Sequence, residues 1–373
     1  MRAPDITYLT DIYFGFGSVG LVPGLLARFG VHRPLVVTDA KLIELGMVAH
    51  LGIGDPETFA DTETNPTEAN LQACLARYRD EGCDSMVALG GGAPLDLAKL
   101  VGLMAGHSPP LEQYAILRGG TARIGPTMPA IVAVPTTAGS GSEVGRAALL
   151  KFDSGRKLGF LSPHLIAKAA VCDPDLTRSL PPDLTAATGM DAISHCVETY
   201  CSTRINAVAD AIALDGLARG WRAIRRAQAN GADREARAQM MHCSLMGGLA
   251  FQKGLGAVHS LSHPLGAVSG LRLHHGTLNA LFLAPVLRFN QEACPEKMDG
   301  LARAVGLRVG ADVPDAIERM VDELGLPRRL RELGVTQDAL ASLGSHAAED
   351  HCTATNPRPL SEAAARRLYE EAW

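Results

Sequence analysis

The sequence predicts an α/β domain with a parallel sheet, followed by an all-α domain. Three observations predict it. Strand-like and helix-like stretches alternate over roughly the first 176 residues, the pattern of a parallel sheet covered by helices on both faces. After Asp173-Pro174 the strand-like stretches stop, and nearly everything onward has helical spacing. The length of 373 residues, with 47% hydrophobic content, is enough for two cores. The domains are therefore expected at 1–176 and 177–373, with a cleft between the two halves as the natural site.

Taken in order, residues 6–16 are rich in β-branched and aromatic side chains and run into glycines, which reads as strand or hairpin. Gly15-Phe16-Gly17-Ser18-Val19-Gly20 has the form GxGxxG, and a helix-like stretch follows over 21–29. Residues 35–39 make a short apolar strand ending on Asp39. That carboxylate is placed either to accept from the ribose hydroxyls of a dinucleotide or to cap the helix that begins at Ala40.

Residues 67–80 read as amphipathic helix, and 84–89 as an apolar strand opening onto Gly90-Gly91-Gly92-Ala93-Pro94-Leu95-Asp96, with helix over 95–104. Strand, glycines, helix is the order that lays a phosphate on bare amides at a helix N-terminus. Adjacent glycines remove the side chains that would block its approach. The strand at 129–134 ends in Pro135-Thr136-Thr137-Ala138-Gly139-Ser140-Gly141-Ser142-Glu143, a loop of small and hydroxyl residues. It falls at the carboxyl edge of the sheet, where open α/β sheets bind ligands. Two short strands, 147–150 and 157–161, flank a hairpin signal at Asp153-Ser154-Gly155, and 169–172 is a last strand. Helices are expected over 186–201, 207–229, 233–253, 277–290, 313–324 and 361–373, punctuated by prolines.

Composition excludes several classes. The net charge of −5 with both signs interspersed and no basic block argues against nucleic acid as a partner. No apolar run approaches the roughly 18–20 residues of a membrane span, and no signal-type core follows the first residues, so a cytoplasmic protein is expected. The eight cysteines form no CxxC pair, which fits buried thiols in a reducing compartment.

The second half carries a metal-capable constellation. Asp191 and His195 stand at i and i+4 on one helix face, His259 and His263 repeat the spacing, and His275 follows on an expected turn beside Gly276. One carboxylate and three or four imidazoles suffice for a catalytic divalent metal with an open position, and such a set suits Fe2+ or Zn2+. His274 and His275 are neighbours that point apart, so one of them is expected to be a ligand. The other histidines, among them His351, lack such partners in the sequence and read as surface or packing residues.

Together these stretches resemble the iron-containing (group III) alcohol dehydrogenases. The likeness is carried by Gly90-Gly91-Gly92-Ala93-Pro94-Leu95-Asp96-Leu97-Ala98-Lys99, by the 135–144 loop, by Thr188-Gly189-Met190-Asp191-Ala192-Ile193-Ser194-His195, and by residues 254–266 around His259 and His263. His274-His275-Gly276 and Thr355-Asn356-Pro357-Arg358-Pro359 complete it, in the family's order over nearly the whole chain. The resemblance implies a Rossmann-like dinucleotide domain joined to a helical metal-binding domain, the architecture shared with 3-dehydroquinate synthase. The family's metal ligands fall on Asp191, His195, His259 and His275. Its pyrophosphate contacts fall on Gly91, Gly92 and Ala93 with Asp96 beside them, and its cofactor-lining residues on Thr136 and Thr137. A family lysine near the ribose falls on Lys157, and the position selecting NAD over NADP on Asp39. Gly15–Gly20 is then a structural turn. The family often has serine where this chain has Ala93, which removes a hydroxyl but keeps the amide. The run from His263 to His275 is slightly longer than usual, which leaves His274 as a substitute for His275. Dimers are usual among the proteins it resembles.

The implied chemistry is metal-assisted hydride transfer between an alcohol and NAD, or NADP, to give an aldehyde or ketone. His263, one helical turn from His259, is the candidate to relay the alcohol proton. Two other reaction classes stay open at this point: a metal-free reductase resembling maleylacetate reductase, and a metal- and NAD-using lyase resembling 3-dehydroquinate synthase.

Overall fold

The computed structural model describes residues 10–268 and 270–373, and the chain divides into two compact units. Among the described residues, one comprises 10–137 together with 141–179; the other comprises those of 180–373 together with 138–140.

The first unit is built on a six-stranded parallel sheet. Its strands are β1 (Asp11–Phe14), β2 (Pro34–Val37), β3 (Thr58–Phe59), β4 (Ser85–Gly90), β5 (Ala130–Pro135) and β8 (Ala169–Cys172), in the spatial order β1-β8-β5-β4-β2-β3. A separate antiparallel hairpin joins β6 (Ala147–Lys151) to β7 (Lys157–Leu161). Four helices complete the unit: α1 (Val22–Phe29), α2 (Ala40–Glu44), α3 (Glu68–Asp80) and α4 (Gly92–Gly106). The apolar strands are read out on both faces because successive side chains point to opposite sides. Leu35, Val37, Met86, Ala88, Ile131 and Ala133 pack on one side with residues of α3 and α4. Val36, Val87, Leu89, Val132 and Val134 pack on the other with Val22, Leu25 and Leu26 of α1.

Residues 6–9 of the expected first strand lie outside the described residues, and the strand itself is short, at Asp11–Phe14. Gly15 and Gly17 take positive φ values of 145° and 80° and lead into a 3-10 turn, Ser18–Leu21. Val19 N there donates to Asp173 Oδ2 at 3.2 Å. The GxGxxG string is thus a turn fastened to the end of β8. Helix α4 begins three residues earlier than its sequence pattern suggests, because Gly91 serves as N-cap and Pro94 falls in the first turn, where the missing N–H costs nothing.

The order of the strands fixes where a ligand can sit. From β2 the chain moves outward to β3; from β4 it moves the opposite way to β5 and β8. The gap between the carboxyl ends of β2 and β4 is therefore the switch point of the sheet. Asp39 follows β2, and Gly90-Gly91-Gly92 follows β4.

The second unit is helical among its described residues. It contains α5 (Pro182–Cys201), α6 (Ala207–Ala229), α7 (Arg234–Ala250), α8 (Ala257–Leu265) and α9 (His275–Asn290). Beyond these come α10 (Pro295–Ala304), α11 (Val313–Glu323), α12 (Gln337–Leu340), α13 (Leu343–Glu349) and α14 (Glu362–Ala372). Helix α5 is buried along most of its length, packing on α6, α7 and α9. Two of the prolines expected as punctuation, Pro264 and Pro285, lie inside α8 and α9. None of the described helices is long and apolar enough to cross a membrane.

Candidate metal centre and nucleotide site

In the sheet unit the expected nucleotide residues gather around the start of α4. Gly90 has φ 152°, and a Cβ there would stand 2.6 Å from Pro94 Cγ, so the strand-to-helix turn needs glycine at this position. No side chain caps α4. The first amides of a fifteen-residue helix, at Gly92 and Ala93, are left for a ligand. Thr136 N donates to Gly90 O at 3.0 Å, and Thr137 lies 3.4 Å from where a Cβ of Gly91 would be. Gly91, Gly92, Ala93, Thr136 and Thr137 are thus one cluster at the carboxyl edge of neighbouring strands β4 and β5.

Asp39 N-caps α2, accepting from Leu42 N at 3.0 Å through Oδ1. The capping geometry occupies one oxygen at the switch point and leaves the other. Asp96 lies near the start of α4, close in sequence to the glycines. Both its oxygens are taken inside the protein, by Ser142 Oγ at 2.6 Å and Leu149 N at 3.0 Å, and burial pushes its carboxyl pKa up. Lys99, one turn further along α4, donates to Ser142 O, Gly145 O and Ala147 O at 2.6, 2.8 and 3.0 Å. Burial lowers its ammonium to about 8, against the opposing pull of Asp96 and Glu143. Asp96 and Lys99 therefore tie the 142–149 segment to the helix that starts at the glycines. Lys157, on β7, donates to Asn65 Oδ1 at 2.9 Å, and its charge reaches Asp96.

In the helical unit, Asp191, His195 and His259 present ligand atoms that all lie within 4.8 Å of one another. His195 Nε2 and His275 Nε2 each stand 3.8 Å from Asp191 Oδ1. One atom marks the common centre. The side-chain nitrogen of Asn279 lies 2.7 Å from Asp191 Oδ1, 3.0 Å from His275 Nε2 and 3.2 Å from His259 Nε2. Two buried polar atoms at this centre, His195 Nδ1 and Asn279 Oδ1, have no hydrogen-bond partner among the described residues. A carboxylate and three inward-facing imidazoles, with orphaned polar atoms around them, fit a divalent cation.

His275 is the first residue of α9, not a turn residue before it; His274 is the N-cap. Gly276 is not there to make a turn. A Cβ on it would fall 2.2 Å from Ala187 O, so glycine lets α9 approach α5 and brings His275 to Asp191. His274 turns its Nδ1 to Thr277 N at 3.4 Å, which leaves His275 to face the centre.

Glu198, which the sequence patterns do not single out, orients the metal-capable cluster. Its Oε1 accepts from Val258 N at 2.7 Å, and its Oε2 lies 2.5 Å from His259 Nδ1. Burial raises its carboxyl to about 7 despite the backbone donors at Val258 and Gly256. Burial, and next the charge of His195, push the His259 pKa well below its ordinary value, so the ring is neutral. A carboxylate on Nδ1 fixes the tautomer that leaves the Nε2 lone pair inward. The signal was available in the chain: Asp191, His195 and Glu198 recur at helical spacing along α5. Asn279, one turn from His275 on α9, had the same signature.

His263 lies beside this centre, its ring stacked on His275 at 5.6 Å and edge-on to His259 at 5.7 Å. Its Nδ1 donates to Asp350 Oδ2 at 2.9 Å. Burial opposes ionisation of Asp350, but the charge and hydrogen bond of His263 outweigh it and hold the carboxyl well below the usual range. His351, read from the sequence as a surface or packing residue, also stacks on His263, at 5.8 Å. Its ring partner His263 lies on α8, far back in the chain and beyond the reach of local spacing. Phe251 presents its ring edge-on to His195 at 5.4 Å.

Residues 10–174 match the family described as iron-containing alcohol dehydrogenase, and residues 185–373 match the C-terminal part of the same family. The chain is 49% identical over 378 residues to 4-hydroxybutyrate dehydrogenase of Cupriavidus necator, covering 98% of this chain and 99% of that protein. Among solved structures it is similar to a 1,3-propanediol oxidoreductase, with TM-score 0.93, 34% identity and full coverage of both chains. It is also similar to sulfoacetaldehyde reductase of Bifidobacterium kashiwanohense in complex with NAD+, with TM-score 0.88, 26% identity and coverage of 100% and 99%.

Proposed function

The chain belongs to the iron-containing alcohol dehydrogenase family and interconverts an alcohol with an aldehyde or ketone; from that premise we propose that it uses NAD and Fe2+ to oxidise a short ω-hydroxy acid of the 4-hydroxybutyrate kind. The observation that carries the metal reading is the convergence of Asp191, His259 and His275 on one point, with His195 beside them. The substrate class rests on the 49% identity to a 4-hydroxybutyrate dehydrogenase.

Asp191, His195, His259 and His275 would hold the cation. When bound, the cation would supply Lewis acidity at the reacting oxygen and the nicotinamide would supply the hydride acceptor. The chain's own residues do the remaining work. Glu198 keeps His259 in its ligating tautomer, and Asn279 anchors Asp191. His263 is oriented through Nδ1 by Asp350, leaving Nε2 to exchange the alcohol proton. The amides of Gly92 and Ala93 meet the pyrophosphate, with Gly91 keeping the approach open and Thr136 and Thr137 lining it. Asp39, at the switch point, accepts from the adenosine ribose and disfavours the 2′-phosphate of NADP. Zn2+ is the alternative metal for the same donor set.

The test is anaerobic metal loading followed by NAD reduction with 4-hydroxybutyrate, 1,3-propanediol and simple alcohols. The expected result is NADH formation with the highest kcat/KM on 4-hydroxybutyrate, loss on chelation and recovery with Fe2+. Activity that survives exhaustive chelation would place the chain with maleylacetate reductase-like enzymes. Turnover without net NADH would place it with the 3-dehydroquinate synthase-like ones.

A further inference from the structure

Beside the catalytic cluster the helical unit holds a second compact set of donors that the reaction does not need as a set. His263, Asp350, His351 and Cys352 each offer a ligand atom, and the four atoms lie within 4.8 Å of one another. Asp350 Oδ2 is 2.9 Å from His263 Nδ1 and 3.7 Å from His351 Nδ1. Cys352 Sγ is 3.5 Å from His351 Nε2. Bonds of roughly 2.0–2.3 Å in a tetrahedron place donors about 3.3–3.8 Å apart; one donor atom from each of the four residues already lies within 4.8 Å of the others, so with His351 ligating through a single ring nitrogen a modest side-chain adjustment closes a zinc sphere. The composition of two imidazoles, one carboxylate and one thiolate favours a borderline-soft ion over magnesium or calcium.

The set is also held in place. Asp350 Oδ1 accepts from Cys352 N at 2.9 Å and from Ser260 Oγ at 3.3 Å, which fixes the carboxylate on both α8 and the 351–355 turn. The His263 and His351 rings lie nearly parallel, at 14°. Cys352 is buried, but the His351 side chain is 29% exposed and gives an ion a way in from solvent.

We propose that His263, Asp350, His351 and Cys352 form a second, inhibitory metal site for Zn2+ or a similar thiophilic divalent ion, distinct from the Asp191 centre. Binding replaces the proton between His263 and Asp350 by the metal and releases the Cys352 thiol proton to solvent; no electron is transferred. The inhibitory consequence rests on the reading of His263 as the residue that exchanges the alcohol proton, because a ring bound through Nδ1 to a cation is withdrawn from that task. The metal site itself does not depend on that reading.

The test uses the iron-loaded protein titrated with cobalt(II) as a spectroscopic stand-in for zinc. None of Asp191, His195, His259 and His275 carries sulfur, so a thiolate-to-cobalt charge-transfer band reports the second site alone. The expected result is such a band saturating at about one cobalt per chain while iron is retained, together with a fall in turnover. Cys352→Ser should lose the band and keep its basal activity, and His351→Gln should weaken cobalt binding at least tenfold. Absence of the band at saturating cobalt, or an equal band in Cys352→Ser, overturns the proposal. Turnover measured before cobalt is added tests the dehydrogenase reading separately.

Discussion

The two units present their ligands in opposite ways. In the sheet unit the atoms offered are mainly backbone: the amides at the start of α4 and the bare turn at Gly90–Gly92, placed by strand order. In the helical unit they are side chains, brought from α5, α8 and α9 to one point and held there by Glu198 and Asn279. A backbone site is encoded locally, in a strand, three glycines and a helix. A side-chain site is encoded by spacing within each helix and by packing between helices. The first should therefore tolerate most side-chain changes nearby, whereas the second should fail when a single imidazole is lost.

Breaking that contrast begins with the largest effect. His259→Ala should remove the metal and bring turnover to background, while NAD affinity, read by fluorescence titration, stays at the wild-type value. Retained iron with full activity would take His259 out of the ligand set. His263→Ala should keep the metal yet lower kcat by roughly 10²–10⁴-fold, the usual contribution of a general acid or base. An unaltered pH–rate profile would rule out its role in proton exchange. Glu198→Gln should weaken metal affinity by roughly 10–100-fold, as loss of a carboxylate behind a ligating histidine does, with KM for NAD unmoved. The smallest effect is expected at the sheet. Asp39→Asn keeps a good N-cap for α2, so thermal stability should hold, while the preference for NAD over NADP should fall about tenfold, or ~1.4 kcal/mol. A drop in Tm with no change in cofactor preference would make Asp39 a cap and nothing more.

Much of this was legible in the chain. The alternation of apolar strands with helices gave the parallel sheet, since strands buried on both faces are apolar throughout, as in Val87, Ala88 and Leu89. The i, i+4 pairs gave Asp191 with His195 and His259 with His263, because helical spacing alone puts such residues on one face. What escaped depends on contacts far apart in sequence. The hydrogen bonds of Asp96, which the family resemblance sets beside the pyrophosphate residues, run to Ser142 and Leu149, about fifty positions away, and no local pattern announces them. Glu198 and Asn279 share helical spacing with Asp191, His195 and His275, but what each touches shows only when α8 and α9 are set against α5. His351 carries no local signal because its ring partner His263 lies on another element. Gly276 reads in the sequence as a turn residue, but the need is close approach to Ala187, which only the packed helices reveal.

The metal assignment rests on the centre in the helical unit. X-ray absorption at the iron edge of the reconstituted protein tests it most directly. The predicted spectrum shows a shell of nitrogen and oxygen only, with the outer-shell scattering of imidazoles, and loses that signature in His259→Ala. Sulfur in the iron's first shell, or a spectrum unchanged by the substitution, would contradict the assignment of Asp191, His195, His259 and His275.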